Sequence, residues 1–302
     1  MKLPESIDLH MHTDFSDGAD SLEELVKKVQ AAGIELFSVT DHDTIKATAR
    51  LQEMAAKQGA GKLPAFIPGV ELSCEDDKGK YHILGYAYGE TAQPLKMLIA
   101  KTHMIRMEKL ENRLEYIKDH FGIVFPEEEE RALYRMNNPG KPHIAILLIK
   151  HGFAGTMQEA MDNFLNKRKG QEEKIDPCVA LEAILESDGI PVLAHPPYGN
   201  GSQNIRGEQL DERVKRLKDH GLMGIEGYYS RYQKEDEQEV LGLADKYDLY
   251  VTAGSDYHGR NKKNVALKSH HLQRVSDGDP RLHRFLELIL SGKDSQRTGD
   301  VL

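Results

Sequence analysis

The stretch IDLHMHTDFSDG, Ile7 to Gly18, places His10 and His12 two residues apart at the end of an apolar run. In an extended chain, residues i and i+2 project to the same face, so the two imidazoles point one way and can converge on one metal ion. Polar residues of the same kinds close the later apolar runs. Asp41 and His42 end ELFSVTDHD, Glu71 ends a third run, His82 lies within KYHILGYAY, His195 ends IPVLAHP, and Asp256 and His258 end LYVTAGSDYHG. A lone histidine on a strand is ordinarily a hydrogen-bonded structural residue. Six histidines and three carboxylates at strand ends, with spaced HxH and DxH pairs among them, fit a metal centre better, provided the fold gathers those ends at one mouth.

The elements that would gather them follow from periodicity. SLEELVKKVQAAG has Ser21 and Glu24 in capping-box spacing, apolar residues on one face and Gly33 as a stop, which predicts a helix. ELFSVTDHD reads as a strand and ATARLQEMAAKQG as the next helix. AFIPGVELSC and KYHILGYAY are strand-like and are joined by the charged, glycine-containing EDDKGK, which predicts a hairpin. From Thr91 to Ile175 the pattern is helical, and the acidic run Glu127–Glu130 behind Pro126 suits a solvated first helical turn. Strands and helices then alternate again from VALEAILESDG to PRLHRFLELILSG. Seven strands interleaved with helices predict an α/β fold, a closed or nearly closed barrel. Its expected divisions are 1–90 for the first part of the barrel, 91–175 for a helical insertion and 176–302 for the second part.

Composition narrows the setting. Of 302 residues, 39% are hydrophobic, enough for a substantial core, yet no apolar stretch approaches a membrane span. The opening MKLPESIDLH lacks the apolar region of a secretory signal, and Cys74 and Cys178 form no CxxC pair, so a reduced, cytoplasmic protein without a membrane partner is expected. A net charge of −9 argues against a broad basic surface for nucleic acid. It leaves an anionic substrate open, because bound divalent cations reverse the local field.

DLHMHTDFSDG, VTDHDT, GVELS, LAHP and GSDYHG, in that order from Asp8 to Gly259, resemble the motifs of the polymerase and histidinol phosphatase (PHP) metallohydrolases. The resemblance implies a distorted (βα)7 TIM-like barrel holding up to three divalent metal ions. Carried over by motif, it implies that His10, His12, Glu71 and Asp256 hold the first metal and that Glu71 bridges to a second held by His82 and His195. Asp17, His42 and His258 would hold the third. Imidazole with carboxylate suits Mn²⁺, Fe²⁺ or Zn²⁺. Asp41 and Asp43 flank His42 and could orient it, be surface groups or act as caps.

Within the insertion, NNPGKPHIAILLIKHG is similar to the Arg-x-His helix start of family members that act on small nucleotides, with lysine in place of arginine. By that match Lys141 and His143 would contact substrate phosphate, or would merely start a helix. Arg206 and Arg231 are further candidates, because LAHP is followed here by Pro197, Tyr198 and Gly199 rather than a nearby arginine. The chemistry these expectations lead to is phosphoester hydrolysis by a hydroxide bridged between metals, with no side-chain acid assigned. The substrate expected is a small phosphorylated metabolite, chiefly a nucleoside 3′,5′-bisphosphate or monophosphate. The alternatives are a 5′–3′ exonuclease on short RNA, a histidinol phosphatase, a C–N hydrolase sharing HxH, and a metal-binding interaction module without catalysis.

Overall fold

The computed structural model describes residues 3–58, 63–136, 138–167, 173–268 and 278–297. The chain is mixed α/β and divides into two compact units, Met1–Lys96 with Ile175–Leu302, and Met97–Lys174. Among the described residues no helix is long and apolar enough to cross a membrane.

Among the described residues the first unit carries eight strands in two sheets. β1 (Ile7–Asp8), β2 (Leu36–Phe37) and β3 (Ala65–Phe66) are parallel neighbours. β4 (Gly69–Asp76), β5 (Gly79–Tyr86), β6 (Ile190–Leu193), β7 (Gly224–Tyr229) and β8 (Tyr250–Gly254) form the second sheet. There β4, β5 and β6 run antiparallel to their neighbours, and β6, β7 and β8 run parallel. The strand count differs from the seven read in the sequence because AFIPGVELSC divides in two. Pro68 has no N–H to give a ladder, so the part before it pairs with β2 and the part after it with β5. The expected hairpin is present, with Asp76 Oδ1 accepting from the N–H groups of Lys78 and Gly79 at its turn.

Backbone bonds also join the two sheets along both flanks. On one flank the Leu9 N–H donates to Ala253 O at 3.0 Å, that of His12 to Tyr257 O at 2.9 Å, and that of Asp256 to His10 O at 2.7 Å. On the other, the Asp43 N–H donates to Glu71 O at 2.9 Å and that of Glu71 to Asp41 O at 3.3 Å. These bonds lie where the polar strand ends lie, so they fix those ends against one another.

α1 (Leu22–Ala31) starts as expected, with Ser21 and Glu24 in a reciprocal capping box. Its buried face of Leu22, Leu25, Val26 and Val29 packs with Met11, Ile34, Phe37, Val39, Leu51 and Met54. Met11 therefore enters an apolar core while His10 and His12 turn to the other side of the same extended segment. α2 (Lys46–Gln58), α7 (Pro177–Leu185), α8 (Gly207–Asp219), α9 (Lys234–Lys246) and α10 (Pro280–Arg297) complete the first unit.

α3 (Gln93–Phe121), α4 (Glu127–Arg135), α5 (Lys141–Lys150) and α6 (Met157–Ala160) follow β5, and no strand interrupts them among the described residues. The four glutamates of α4 occupy its first turn, where the helix dipole favours negative charge. TMQEAMDNFLNK is not one continuous α-helix. After α6 the chain makes a π-helical turn over Met161–Leu165, closed by Asn166 N–H to Met161 O at 2.8 Å. The second unit has its own apolar core, built from Leu110, Leu114, Ile117, Phe125, Ile144 and Leu148 among others. Residues 168–172, inside the expected insertion, lie outside the described residues.

Candidate metal centre

His10 and His12 sit just past β1, on a segment held to Tyr257 by a parallel bridge at Met11. His42 is bridged in the same way to Glu71 of β4, while His82 is on β5, His195 follows β6, and Asp256 and His258 follow β8. Asp17 reaches the group from the loop before α1, folded back by Gly18 N–H to Thr13 O at 2.9 Å. Gly18 is required there, because a Cβ would come within 2.4 Å of His12 O. The structure brings all nine sequence-derived donors together as four overlapping groups, namely His10–His12–Asp256, His10–Glu71–His195, His42–Glu71–His82 and His12–Asp17–His42–His258.

Glu71 is the hub. Its Oε2 lies 3.2 Å from His10 Nε2, 3.1 Å from His12 Nε2 and 3.3 Å from His42 Nδ1. Its Oε1 lies 2.8 Å from His82 Nδ1 and 3.3 Å from His195 Nε2. Asp256 Oδ1 is 3.4 Å from His12 Nε2 and 3.3 Å from His258 Nδ1. Asp17 is 3.2 Å from His258 Nε2 and 3.8 Å from His42 Nε2. His10, His12, Glu71, His195 and Asp256 are buried, whereas Asp17 is 46% exposed and forms the open rim.

Distance alone does not satisfy these atoms. His12 Nε2, His42 Nδ1, His82 Nδ1, His195 Nδ1 and Glu71 Oε1 are buried without an aligned hydrogen bond. An unpartnered buried polar atom costs about 1–3 kcal/mol, and four of these five, all but His195 Nδ1, lie against other donors of the cluster as ligand atoms for an acceptor of lone pairs. The donor types fit a borderline divalent metal such as Mn²⁺, Fe²⁺ or Zn²⁺.

The charge balance agrees. Burial disfavours charge on every member, yet the carboxylates prevail over it at His10, which is held well above the usual imidazole range, and at His12, pushed up to about 10 by Asp256 and Glu71. Conversely, the imidazoles overcome burial to hold Glu71, Asp256 and Asp17 below the ordinary carboxylate range. At His42 burial wins and the ring is pushed down to about 4. Backbone strain collects at the same place, with φ of 26° at His195 and 59° at Asp256.

The flanking aspartates each hold backbone or side chain outside His42. Asp41 is fully buried and accepts from Thr13 N–H, Thr13 Oγ1 and Ser16 Oγ at 2.7, 2.6 and 2.6 Å, so it ties down the loop that carries Asp17. Asp43 accepts from the Ser73 N–H at 2.9 Å.

Sequence reasoning missed three contacts. Glu226 on β7 lies 2.9 Å from His10 Nδ1, and its isolation as the acidic residue of GIEGYY was the available signal. The Tyr229 hydroxyl donates to Asp256 Oδ2 at 2.8 Å, and the Lys262 ammonium pairs with the same oxygen. Nothing in the spacing of HGRNKKN singles out Lys262.

The expected substrate contacts fall in both units. Lys141 and His143 belong to the second unit, where Lys141 Nζ donates to Asn166 Oδ1 at 2.8 Å and His143 Nδ1 accepts from the Gly140 N–H. Arg206 is engaged by Asp236 at 2.6 Å and by the carbonyls of Pro197 and Ile205. Arg231 is exposed, lies 5.1 Å from the Tyr198 ring centre and makes a long 3.4 Å contact to Gly201 O. Tyr198 is followed inward by Tyr229, whose ring is 5.2 Å from that of His195.

Comparison with known proteins gives a consistent result. The PHP domain family matches residues 8–176. A phosphoribosyl 1,2-cyclic phosphate 1,2-diphosphodiesterase from Eggerthella lenta is 28% identical over 267 residues, covering 84% of this chain and 94% of that protein. The 5′–3′ exoribonuclease Rnm of Salmonella typhimurium is 28% identical over 260 residues, covering 83% and 84%. A 3′,5′-nucleoside bisphosphate phosphatase from Chromobacterium violaceum is 26% identical over 261 residues, covering 84% and 87%.

Proposed function

The chain belongs to the PHP domain family, whose match runs from Asp8 to Asp176, and from that premise we propose that it is a metal-dependent phosphoesterase releasing phosphate from a small nucleotide. A nucleoside 3′,5′-bisphosphate or monophosphate is the substrate this reading favours. The observation that carries it is Glu71, a buried carboxylate with five imidazoles within 3.3 Å and unaligned nitrogens among them. The backbone bonds along both flanks of the two sheets support a distorted (βα) barrel as the frame.

In this reading His10, His12, Glu71 and Asp256 hold one metal, Glu71, His82 and His195 a second, and Asp17, His42 and His258 a third; all nine belong to the overlapping donor groups, which divide them differently by placing His82 with His42 and His195 with His10. Divalent metals bound there would supply Lewis-acid charge for the phosphoryl oxygens and for the water that attacks phosphorus. The side chains do the rest. Burial of Glu71 and the histidines keeps the polar field fixed in a poorly solvated setting, where it acts most strongly on developing charge. Asp41 holds the Thr13–Ser16 loop, and through it Asp17, against the cluster. Arg231 has a guanidinium free enough to take a phosphate, whereas Arg206 is committed to Asp236 and acts by bracing Tyr198 at 5.3 Å. Lys141 and His143 remain phosphate contacts in the proposal, the lysine supplying charge without the two-pronged geometry of arginine.

The exoribonuclease relative favours a second reading, stepwise release of mononucleotides from short RNA. One experiment separates the two. Purified Mn²⁺-loaded protein is assayed on adenosine 3′,5′-bisphosphate, AMP, histidinol phosphate and a short 5′-phosphorylated RNA, with His10→Ala as control. Preferred turnover of the bisphosphate, lost in the control, supports the small-nucleotide reading. Processive mononucleotide release from RNA moves the assignment to exonuclease, and inactivity on all four despite bound metal overturns both.

A further inference from the structure

Glu226 is a fully buried carboxylate that neither the donor groups nor the proposed reaction uses. Its two oxygens face two different members of the cluster. Oε1 lies 2.9 Å from His10 Nδ1, and Oε2 accepts the backbone N–H of His195 at 2.9 Å. The surroundings are shaped for this bridge. β7 changes register between Glu226 and Tyr228, the kind of irregularity that re-aims a side chain, and the Tyr232 hydroxyl donates to the Glu226 carbonyl at 3.0 Å. On the facing strand Gly254 leaves the space, because a Cβ there would come within 2.2 Å of His10 Cβ and 2.9 Å of Glu226 Oε1.

We infer that Glu226 is a positioning residue that sets two ligands at once, fixing the His10 ring through Nδ1 and holding His195 in its left-handed backbone conformation. This inference rests on the metal reading of the nine donors. The chemistry follows from which groups can donate. A carboxylate only accepts, so the hydrogen shared with Glu226 sits on His10 Nδ1; the metal-free ring also carries one on Nε2 toward Glu71, and losing that proton alone would leave the Nε2 lone pair for a metal. The same carboxylate takes the N–H of His195, whose φ of 26° is a conformation that side chains with a Cβ rarely adopt. In the assignment proposed above His10 serves the first metal and His195 the second, and the two rings also share one donor group with Glu71. One side chain therefore supports two metal positions and leaves the Asp17–His42–His258 position alone.

Glutamine discriminates, being nearly isosteric but having a single acceptor oxygen. If that oxygen takes the His195 N–H, the amide NH₂ faces His10 Nδ1 and reverses the ring tautomer. If it takes His10 Nδ1–H, NH₂ meets N–H at His195. Either way one of the two supports is lost.

The test compares wild type with Glu226→Gln in competitive chelator titrations with Zn²⁺, alongside elemental analysis and thermal melts of the metal-free proteins. The expected result is retention weakened about 10–100-fold for part of the bound metal, with the remainder held as in wild type. Unchanged retention at every position overturns the inference. So does uniform weakening that tracks a lower melting temperature, since that is a structural effect only. A wild-type protein that takes up no Zn²⁺ defeats the metal reading itself and is recognised before the variant is compared. If Glu226→Gln does not fold, nitrogen NMR of the Zn²⁺-loaded wild type decides. His10 protonated on Nδ1 with Nε2 bare supports the inference, and His10 protonated on Nε2 refutes it.

Discussion

Metal uptake is expected to release protons and to strengthen steeply with pH, and the structure gives the size of the effect. In the metal-free cluster His12 titrates at about 10 and His10 well above the ordinary range, because Glu71, Asp256 and Glu226 outweigh burial. Both rings therefore carry a proton at neutral pH, and both must lose it to act as ligands. Each displaced proton makes the apparent affinity rise about tenfold per pH unit, roughly 1.4 kcal/mol, so the position served by both rings gains about a hundredfold per unit. His42, pushed down to about 4, is already neutral and contributes no proton. The metal-free fold responds in the opposite sense. His12 is raised on folding, so its contribution is fully present below 6.5 and is lost as pH climbs through about 10, on the order of 5 kcal/mol at most. Calorimetric Zn²⁺ titrations in two buffers of different ionisation enthalpy count the protons released, and melts of the stripped protein between pH 7 and pH 10 follow stability. No net proton release at pH 7, with affinity flat from pH 6.5 to 8.5, would refute the reasoning.

Three other outcomes follow from the same contacts. Asp41→Asn keeps the volume but leaves only one acceptor oxygen for the Thr13 and Ser16 donors, and should lower stability by about 1–3 kcal/mol in denaturant titration while loosening the loop that carries Asp17. Gly254→Ala forces a methyl within 2.2 Å of His10 Cβ, so it should destabilise by about 1–3 kcal/mol and reduce metal content in elemental analysis. Arg231→Met and Lys141→Met should raise KM for phosphorylated substrate more than they lower kcat. An unchanged KM in steady-state kinetics removes that residue from the phosphate contacts.

The donors were legible in the sequence because their chemistry and strand-end positions both show in one dimension. His10 and His12 needed only period-two alternation, and Asp17 came with the loop motif. Their convergence depends on backbone bonds such as Asp256 N–H to His10 O, between residues far apart in the chain, and periodicity says nothing of such pairing. Pro68 was visible as a breaker, yet it falls inside an apolar run whose hydrophobicity masks the change of partner from β2 to β5. For Asp41 the sequence left open orienting its neighbour His42, a surface position or a cap. Its bonds to Thr13 and Ser16 show that adjacency in sequence is a poor guide where successive side chains alternate between faces. Glu226 went unread because a single acid in an apolar strand carries no spacing, and its role exists only across the gap left by Gly254.

In the proposed reading, chemistry and substrate choice rest on different residues. The hydrolytic reading depends on nine donors of the first unit, bound to one another through Glu71, Asp256 and Asp17 so closely that no single one can be altered without disturbing several neighbours. The nucleotide reading depends on Arg231, Lys141 and His143, two of which belong to a unit with an apolar core of its own. The relatives, described as a cyclic-phosphate diphosphodiesterase, an exoribonuclease and a bisphosphate phosphatase, differ in substrate while all act on phosphate esters. A failure of the bisphosphate assay would therefore count against Arg231, Lys141 and His143 as phosphate contacts, and only the loss of metal binding would count against phosphoester chemistry.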